Sequence, residues 1–362
     1  MGYRKCAVEN MVSTLDKNFW RDKRVFITGH TGFKGSWLTL WLSLLEAEII
    51  GFALQPPTTP NLFTLTRLTV DMTHLTGDIR DFDLLQQTIK QYQPDIIIHM
   101  AAQPLVRHSY HAPIETYATN VMGTLHLFEA TKQIKKHHAI INVTTDKCYE
   151  NSNQAQSFTE SDRLGGHDPY SNSKACSELL TMAFRNSYSQ NIASARAGNV
   201  IGGGDWAKDR LIPDIFDACL HEKNITIRYP HALRPWQHVL EPLHGYLLLA
   251  QQLYQKPKEF AEGWNFGPHA EDVKPVQWIT EYILSQWNKN ISWVQDSNTQ
   301  LHEASYLTLN SEKAQNQLHW QPRWNLATAL DETIQWYQAY QAKQDMKDFT
   351  IKQIKKFIDV QY

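Results

Sequence analysis

Residues 28–35 read Thr-Gly-His-Thr-Gly-Phe-Lys-Gly, between an apolar β-branched run at 24–28 and a helix-spaced run at 36–45. A strand, a turn with glycines at this spacing and a helix together form the phosphate-binding turn of a dinucleotide fold. Gly29 permits the tight bend, Gly32 lets the backbone approach a pyrophosphate, and Gly35 lets helix and strand pack closely. The helix start then presents unpaired N–H groups to the anion. Three glycines alone also describe a plain strand-to-helix turn, and it is the flanking periodicities that decide for the dinucleotide reading. Candidate cofactor contacts here are Gly29, Thr31, Gly32, Phe33, Lys34 and Gly35.

The alternation continues along the chain. Strands are expected at 24–28, 48–53, 70–76, 95–99, 139–144 and 192–197, and helices at 36–45, 81–93, 113–136 and 170–188. Each strand is nearly continuous in apolar residues, the pattern of a parallel sheet covered on both faces. The lysines at 132, 135 and 136 are read as suited to the end of the third of these helices. The fold class is α/β, a doubly wound parallel sheet of Rossmann type, with ligands beyond the carboxyl ends of its strands. At about 150 residues per domain, 362 residues predict about two domains. After Gly198 the alternation breaks down, and Gly202-Gly-Gly204 with several Pro and Trp residues marks a loop-rich segment. The dinucleotide-binding domain is placed at 20–200, with residues 236–262 returning to it through a helix at 242–253. A smaller mixed α/β substrate lobe takes 201–235 and 263–350. In the tail Ile351, Ile354 and Ile358 share one helical face with lysines opposite, which reads as a packing helix.

Composition removes several classes of function. Hydrophobic residues make up 42% and charged residues 20%, enough apolar surface for a core and too much for disorder. A formal net charge of -2 leaves no basic footprint for a nucleic acid or an anionic membrane. Cys6, Cys148, Cys176 and Cys219 stand far apart, without a C-x-x-C pair, so no zinc ribbon, iron–sulfur site or disulfide framework is expected. The histidines lack metal-ligand spacing and no metal is expected; His238 reads as a surface or packing residue. Residues 1–20 have no continuous apolar core and no run of about 18 apolar residues occurs anywhere, so neither a signal peptide nor a membrane span is expected. A cytoplasmic location is inferred.

The second strand ends at Ala53-Leu-Gln55, where an acid for the adenosine ribose is usual and absent. No Arg or Lys adjoins it to meet a 2′-phosphate, which favours NAD. Asp78 and Ile79 follow the third strand, where the adenine is held, and Ala101 and Ala102 follow the fourth, small enough to let the cofactor pass. Tyr170 and Lys174 stand four apart on a helix and so on one face, 25 residues after Thr145. By itself this spacing also describes two surface residues. Placed at the mouth of a dinucleotide sheet it is the Thr/Ser…Tyr…Lys set of short-chain dehydrogenases/reductases. A Tyr of pKa about 10 becomes a base near neutrality only if some 4 kcal/mol favours its phenolate, which Lys174 and a cationic nicotinamide can supply. Beside Thr145 lie two further ionisable groups, Asp146 and Lys147, where a solvated salt pair is the plain alternative.

With these residues in view the sequence resembles the CDP-glucose 4,6-dehydratases, extended short-chain dehydrogenases/reductases. The likeness runs from about Phe19 to beyond Trp324 through residues 29–38, 101–107, 119–124, 145–151, 196–206 and 234–239. Its most specific element is the Asp146-Lys147 pair where other nucleotide-sugar dehydratases have Asp-Glu; Thr145 stands where Ser is commoner. The resemblance implies oxidation at C4 by NAD with Tyr170 as base, removal of the C5 proton by Lys147, and protonation of the departing 6-hydroxyl by Asp146. Hydride return to C6 completes it. That chemistry needs an uncharged amine and a protonated carboxyl, and burial favours both while their mutual attraction opposes. Arg234 is the candidate for the diphosphate, with Asn199 and Arg210 in support and Gln103 toward the hexose. A homodimer and a role in deoxysugar synthesis for a surface polysaccharide, such as lipopolysaccharide O-antigen, are implied by resemblance alone. Open alternatives are an epimerase, a reductase or a dehydratase for another nucleotide-hexose, and a non-catalytic dinucleotide-binding regulator.

Overall fold

The computed structural model describes residues 15–151, 157–287, 291–296 and 306–360. Seven strands make one sheet: β1 Arg24–Thr28, β2 Glu48–Ala53, β3 Thr73–Thr76, β4 Ile96–His99, β5 Ala139–Val143, β6 Ile192–Ala197 and β7 Gly263–Phe266. Their order is β7-β6-β5-β4-β1-β2-β3, parallel throughout. The order reverses between β1 and β4, the doubly wound arrangement, so the ligand crevice opens beyond the carboxyl ends of those two strands. Successive side chains leave a strand on opposite faces. Thus Val25, Ile27, Ile96, Ile98 and Ile141 join one core while Phe26, Ile50, Ile97 and Ile140 join the other. Both faces are buried, which is why the strands read as continuous apolar runs.

Helices α1 Phe33–Leu44 and α5 Leu240–Gln255 cover the first face; α2 Phe82–Tyr92, α3 Gly123–Thr131 and α4 Pro169–Tyr188 cover the second. Their limits follow from local chemistry. Asp81 caps α2 by accepting from the Leu84 N–H, and Gln93 ends it in the left-handed region just ahead of Pro94. Asp168 caps α4 by accepting from Ser171, with Pro169 in the first turn.

Four expectations are corrected. Residues 70–76 are not one strand: Leu68–Val70 is a 3₁₀ turn entered through a left-handed Arg67, and Val70 is exposed. Residues 113–136 are not one regular helix, since Pro113–Tyr117 passes through a π-helical turn, Ala118–Met122, into α3, which stops at Thr131. The wider turn seats Asn120 so that it accepts from the Gln103 N–H (2.8 Å) and donates to Gln103 O and Ser173 Oγ. Lys135 and Lys136 lie past the helix, where Lys136 pairs with Asp95. Residues 263–266, assigned to the lobe, supply β7. In the tail helix Met346–Ile358 the buried face is Met346, Thr350, Gln353, Ile354 and Phe357, whereas Ile358 is exposed. Among the described residues Cys148, Cys176 and Cys219 form no disulfide, no helix is long and apolar enough to cross a membrane, and no group of three His, Cys, Asp or Glu could hold a metal. Cys6, and most of the stretch read for a signal peptide, lie outside the described residues.

Candidate active site

The cradle at the end of β1 is shaped by absent side chains. Gly29 has φ +78°, and a Cβ there would lie 2.8 Å from the Ala101 nitrogen. A Cβ on Gly35 would lie 2.3 Å from the Gly29 oxygen. The buried Thr28 hydroxyl accepts from the N–H groups of Met100 and Ala101 (both 3.1 Å), drawing the ends of β1 and β4 together. Thr31 donates to Leu54 O at the end of β2. Gly32 caps α1 with no side-chain hydrogen bond, which leaves the first N–H groups of that helix to an anion. These residues fit a dinucleotide pyrophosphate. Gln55 donates to Thr76 and no carboxylate stands at the end of β2. Asp78 does follow β3, but the Arg80 guanidinium grips both its oxygens and holds its carboxyl below the usual range. Ile79 is buried against α3, where a Cβ on Gly123 would come within 2.6 Å of it.

Beyond β5 the chain turns into the candidate catalytic cluster. Thr145 caps a 3₁₀ turn, Asp146–Cys148, accepting from the Lys147 N–H and donating to Asp146 Oδ1 (3.0 Å). Asp146 is 2% exposed, and its Oδ2 accepts no hydrogen bond among the described residues. That oxygen lies so close to Gly198 that a Cβ there would stand 2.8 Å from it. Burial pushes the Asp146 carboxyl up, against the opposing pull of Lys147, Thr145 and Arg234. Of the two effects weighed from sequence, burial dominates, and the side chain is disposed to be an acid. The side chain of Lys147 is half-buried and makes no hydrogen bond or ion pair with the described residues.

Tyr170 and Lys174 face this turn from successive turns of α4, both buried. Lys174 donates to the Val143 carbonyl at the end of β5 (3.2 Å), and burial pushes its ammonium down to about 8. Burial pushes Tyr170 up to about 12, against the Thr145 hydroxyl and the charge of Arg210. Hence the chain by itself holds Tyr170 as a phenol. The expected lowering by Lys174 does not outweigh burial here, so an added positive charge in the cleft has to supply it.

A buried network that sequence reasoning missed supports the turn. Glu178 on α4 accepts from Thr144 (2.5 Å), Ser194 (2.6 Å) and Arg196 (2.9 and 2.8 Å). Arg196 on β6 also donates to the Tyr149 hydroxyl, which donates to Asn265 on β7 (both 2.7 Å). Thr144 and Tyr149 bracket Thr145, Asp146 and Lys147, so the network clamps that stretch at both ends. The available signal was a polar run, Ser194 and Arg196, inside an otherwise apolar strand.

Arg234 is 4% exposed on the short strand Leu233–Pro235, donates to Leu233 O, and is near enough to act on Asp146. Arg210 precedes the helix Leu211–His221, pairs with Asp205 (3.1 Å) and acts on Tyr170. Asn199 accepts through its carbonyl from the Gln237 N–H. Gln103 is engaged within its own loop, donating to Thr116 and Leu105 O and accepting from the Leu105 N–H, so it braces the loop rather than standing free for a hexose. His238 is fully buried against Trp37 and Trp324.

Known proteins resemble the chain over most of its length. Residues 26–333 match the family model of GDP-mannose 4,6 dehydratase. A CDP-glucose 4,6-dehydratase of Salmonella typhimurium is 52% identical over 341 residues, 92% of this chain and 95% of that protein. The dTDP-glucose 4,6-dehydratase of Bacillus anthracis, solved in complex with NAD, superposes with a TM-score of 0.74 at 25% identity, covering 90% of this chain and 99% of that one. The UDP-glucose 4-epimerase of Thermotoga maritima, at 19% identity and a TM-score of 0.76 over 88% of this chain and 99% of that one, shares the fold. Matched over residues 26–333, the chain belongs to the GDP-mannose 4,6 dehydratase family of nucleotide-sugar dehydratases.

Proposed function

We propose that this protein is an NAD-dependent CDP-glucose 4,6-dehydratase, converting CDP-D-glucose to CDP-4-keto-6-deoxy-D-glucose and water. The observation that carries this reading is the buried Asp146, its Oδ2 unpartnered among the described residues, adjoining Lys147 and near enough to Tyr170 to act on it. Likeness over nearly the whole length to a CDP-glucose 4,6-dehydratase selects the nucleotide. NAD, when bound in the cradle, would supply the hydride acceptor for C4 and the hydride donor for C6. Tyr170 removes the proton of the sugar 4-hydroxyl, steadied by Thr145 and Lys174. Once C4 is a ketone the C5 hydrogen is acidic; Lys147 takes it, and returns a proton to C5 when C6 has received its hydride. Asp146 donates its proton to the 6-hydroxyl, which departs as water. An epimerase or a simple reductase needs Thr145, Tyr170 and Lys174 but has no use for a buried acid and an amine beside them, and a regulator needs none of the five.

Gly29, Thr31, Gly32, Phe33, Lys34, Gly35, Asp78, Ile79, Ala101 and Ala102 hold the dinucleotide in this reading. Arg234 and Arg210, with Asn199, hold the diphosphate end of the substrate; their influence on Asp146 and Tyr170 supports that placement. We also place the enzyme in the cytoplasm as a homodimer feeding deoxysugar synthesis for a surface polysaccharide, a reading supported by family likeness. The test is incubation with NAD and CDP-glucose followed by mass analysis of the sugar. Loss of one water without accumulation of NADH is expected. An unchanged mass with altered stereochemistry means an epimerase, and no turnover on a panel of nucleotide-hexoses means a regulator. In Lys147→Ala, hydride exchange at C4 should persist while elimination falls by about 10²–10⁴-fold. Full activity in that variant removes Lys147 from the chemistry.

A further inference from the structure

Tyr170, Lys174 and Glu178 stand four apart along α4 and form one buried row facing the end of β5. Lys174 donates to the carbonyl of Val143, and Glu178 accepts from the hydroxyl of the next residue, Thr144. The ammonium and the carboxylate are thus fastened to neighbouring residues of the same chain segment. Helix rise sets the Glu178 backbone about 6 Å beyond that of Lys174 and about 12 Å beyond that of Tyr170. Ionisable groups reach Lys174 from three other elements: Cys148 on the turn after β5, His99 at the end of β4 and Lys34 on α1. Burial keeps Cys148 a thiol and pushes His99 down to about 3, so both are uncharged near neutrality. Lys34, pushed down to about 7, brings at most a repelling charge. Among these groups Glu178 alone offers the lysine a negative charge. Arg196, Ser194 and Thr144 hold that carboxyl below the usual range, so it is ionised wherever the enzyme works, yet none of the oxidation or elimination steps uses it.

We propose that Glu178 is a positioning residue for the oxidation at C4, its carboxylate keeping Lys174 an ammonium so that this amine can steady the Tyr170 phenolate. The inference rests on the reading of Tyr170 as the base beside bound NAD+. The chain by itself holds Tyr170 as a phenol, and a positive charge in the cleft has to draw it toward ionisation. The same positive charge pushes a proton off Lys174, whose ammonium burial has already brought down to about 8. Activating the phenol therefore threatens the cation that steadies it. A fixed anion one turn beyond the lysine resolves the conflict. It attracts the near ammonium more than it repels the phenolate two turns away. Its own charge is secured from the far side by the Arg196 guanidinium on β6. The network that clamps the turn at 145–147 thus has a second consequence, which is electrostatic and reaches the site along α4.

The experiment follows ionisation of Tyr170 by ultraviolet difference titration of the full chain, with and without saturating NAD+, each protein against its own Tyr170→Phe counterpart. Without cofactor the phenol ionises near pH 12, where Lys174 has already lost its proton, so Glu178→Gln should leave that midpoint in place. With NAD+ bound the midpoint lies toward neutrality and Lys174 is still charged. There Glu178→Gln should raise it by about one pH unit, a tenfold loss of phenolate at a given pH. Glu178→Asp, which keeps the charge on a shorter side chain, should recover most of the wild-type midpoint. A role in packing alone moves both midpoints together or neither, and charge does not rescue it. An unchanged midpoint in Glu178→Gln with NAD+ bound, or an equal displacement with and without it, overturns the inference. Glu178→Gln/Arg196→Met, which leaves no buried charge alone, serves where the single variant does not fold. The same rise is expected there, because the lost carboxylate is what Lys174 feels, and its absence overturns the inference too. A wild-type midpoint that NAD+ does not lower defeats the site reading itself, whereas a lowering that Glu178→Gln leaves intact defeats the inference alone.

Discussion

Replacing Glu178 by Gln tests whether the buried network supports the turn that holds Thr145, Asp146 and Lys147. The carboxylate accepts four hydrogen bonds, two from the Arg196 guanidinium, at a site where Glu178 is 0% and Arg196 3% exposed. Burial pushes Glu178 up, but Arg196, Ser194 and Thr144 outweigh it and hold its carboxyl below the usual range. An amide keeps one acceptor, turns an NH2 toward donors, and leaves the guanidinium buried with no countercharge. Removing one partner of such a pair costs about 3–5 kcal/mol. At about 2.1 cal/mol/K per residue, 362 residues give an unfolding entropy near 0.76 kcal/mol/K, so the melting temperature should fall by about 4–7 °C. Scanning calorimetry reads this directly. The double variant Glu178→Gln/Arg196→Met should recover part of the loss, because no charge is then left alone. Because the folded carboxyl is depressed, its contribution is present above the ordinary glutamate range and lost as pH falls through the folded value. The gap between wild type and variant should therefore close in acid. A cost below about 1 kcal/mol, or strict additivity in the double variant, refutes the reasoning.

Gly35→Ala would gain up to about 1 kcal/mol of helix propensity, but its Cβ would meet backbone 2.3 Å away, so NAD affinity in a binding titration should weaken at least about tenfold. Asp146→Asn should lose elimination while gaining stability: the buried carboxyl is pushed up, so its ionised form is a liability above the raised value and none below the ordinary aspartate range. Its advantage over wild type in denaturant melts should accordingly grow from acid to neutral pH, and a constant gap counts against a raised carboxyl. In ultraviolet difference titrations against Tyr170→Phe, the phenol should ionise only near pH 12 without cofactor and move toward neutrality on adding NAD+. No movement would leave Tyr170 without its activating charge.

The layered fold was legible because its causes are local. Ile96, Ile97 and Ile98 announce a doubly covered strand, and Asp81 with Pro94 brackets a helix, without reference to anything distant in the chain. The π turn was not legible, since its reason is a side chain, Asn120, reaching Gln103 and Ser173 on other segments. Thr145, Tyr170 and Lys174 could be brought together on paper because the fold places them, and Asp146 and Lys147 because they adjoin Thr145. The depth of Asp146 could not, for it depends on Gly198 leaving room and on Arg234 arriving from the lobe. Glu178 looked like one more polar residue on a helix until β6 brought Arg196 across from it. Burial of a pair is a property of two segments, and spacing within one does not carry it.

The seventh strand changes what a domain can mean in this chain. β7 begins only at Gly263, after the whole first stretch of the lobe, yet it seals the open flank of β6 and delivers Asn265 to the Tyr149 hydroxyl. A fragment ending at Ala197 would have every glycine of the cradle and every residue of the turn at 145–148, with a bare sheet edge and a loosened clamp. The sheet domain and the lobe that follows β6 are thus not separable modules that evolution or an engineer could trade freely. A transplanted lobe has to bring its own last strand, cut to fit the host's sixth.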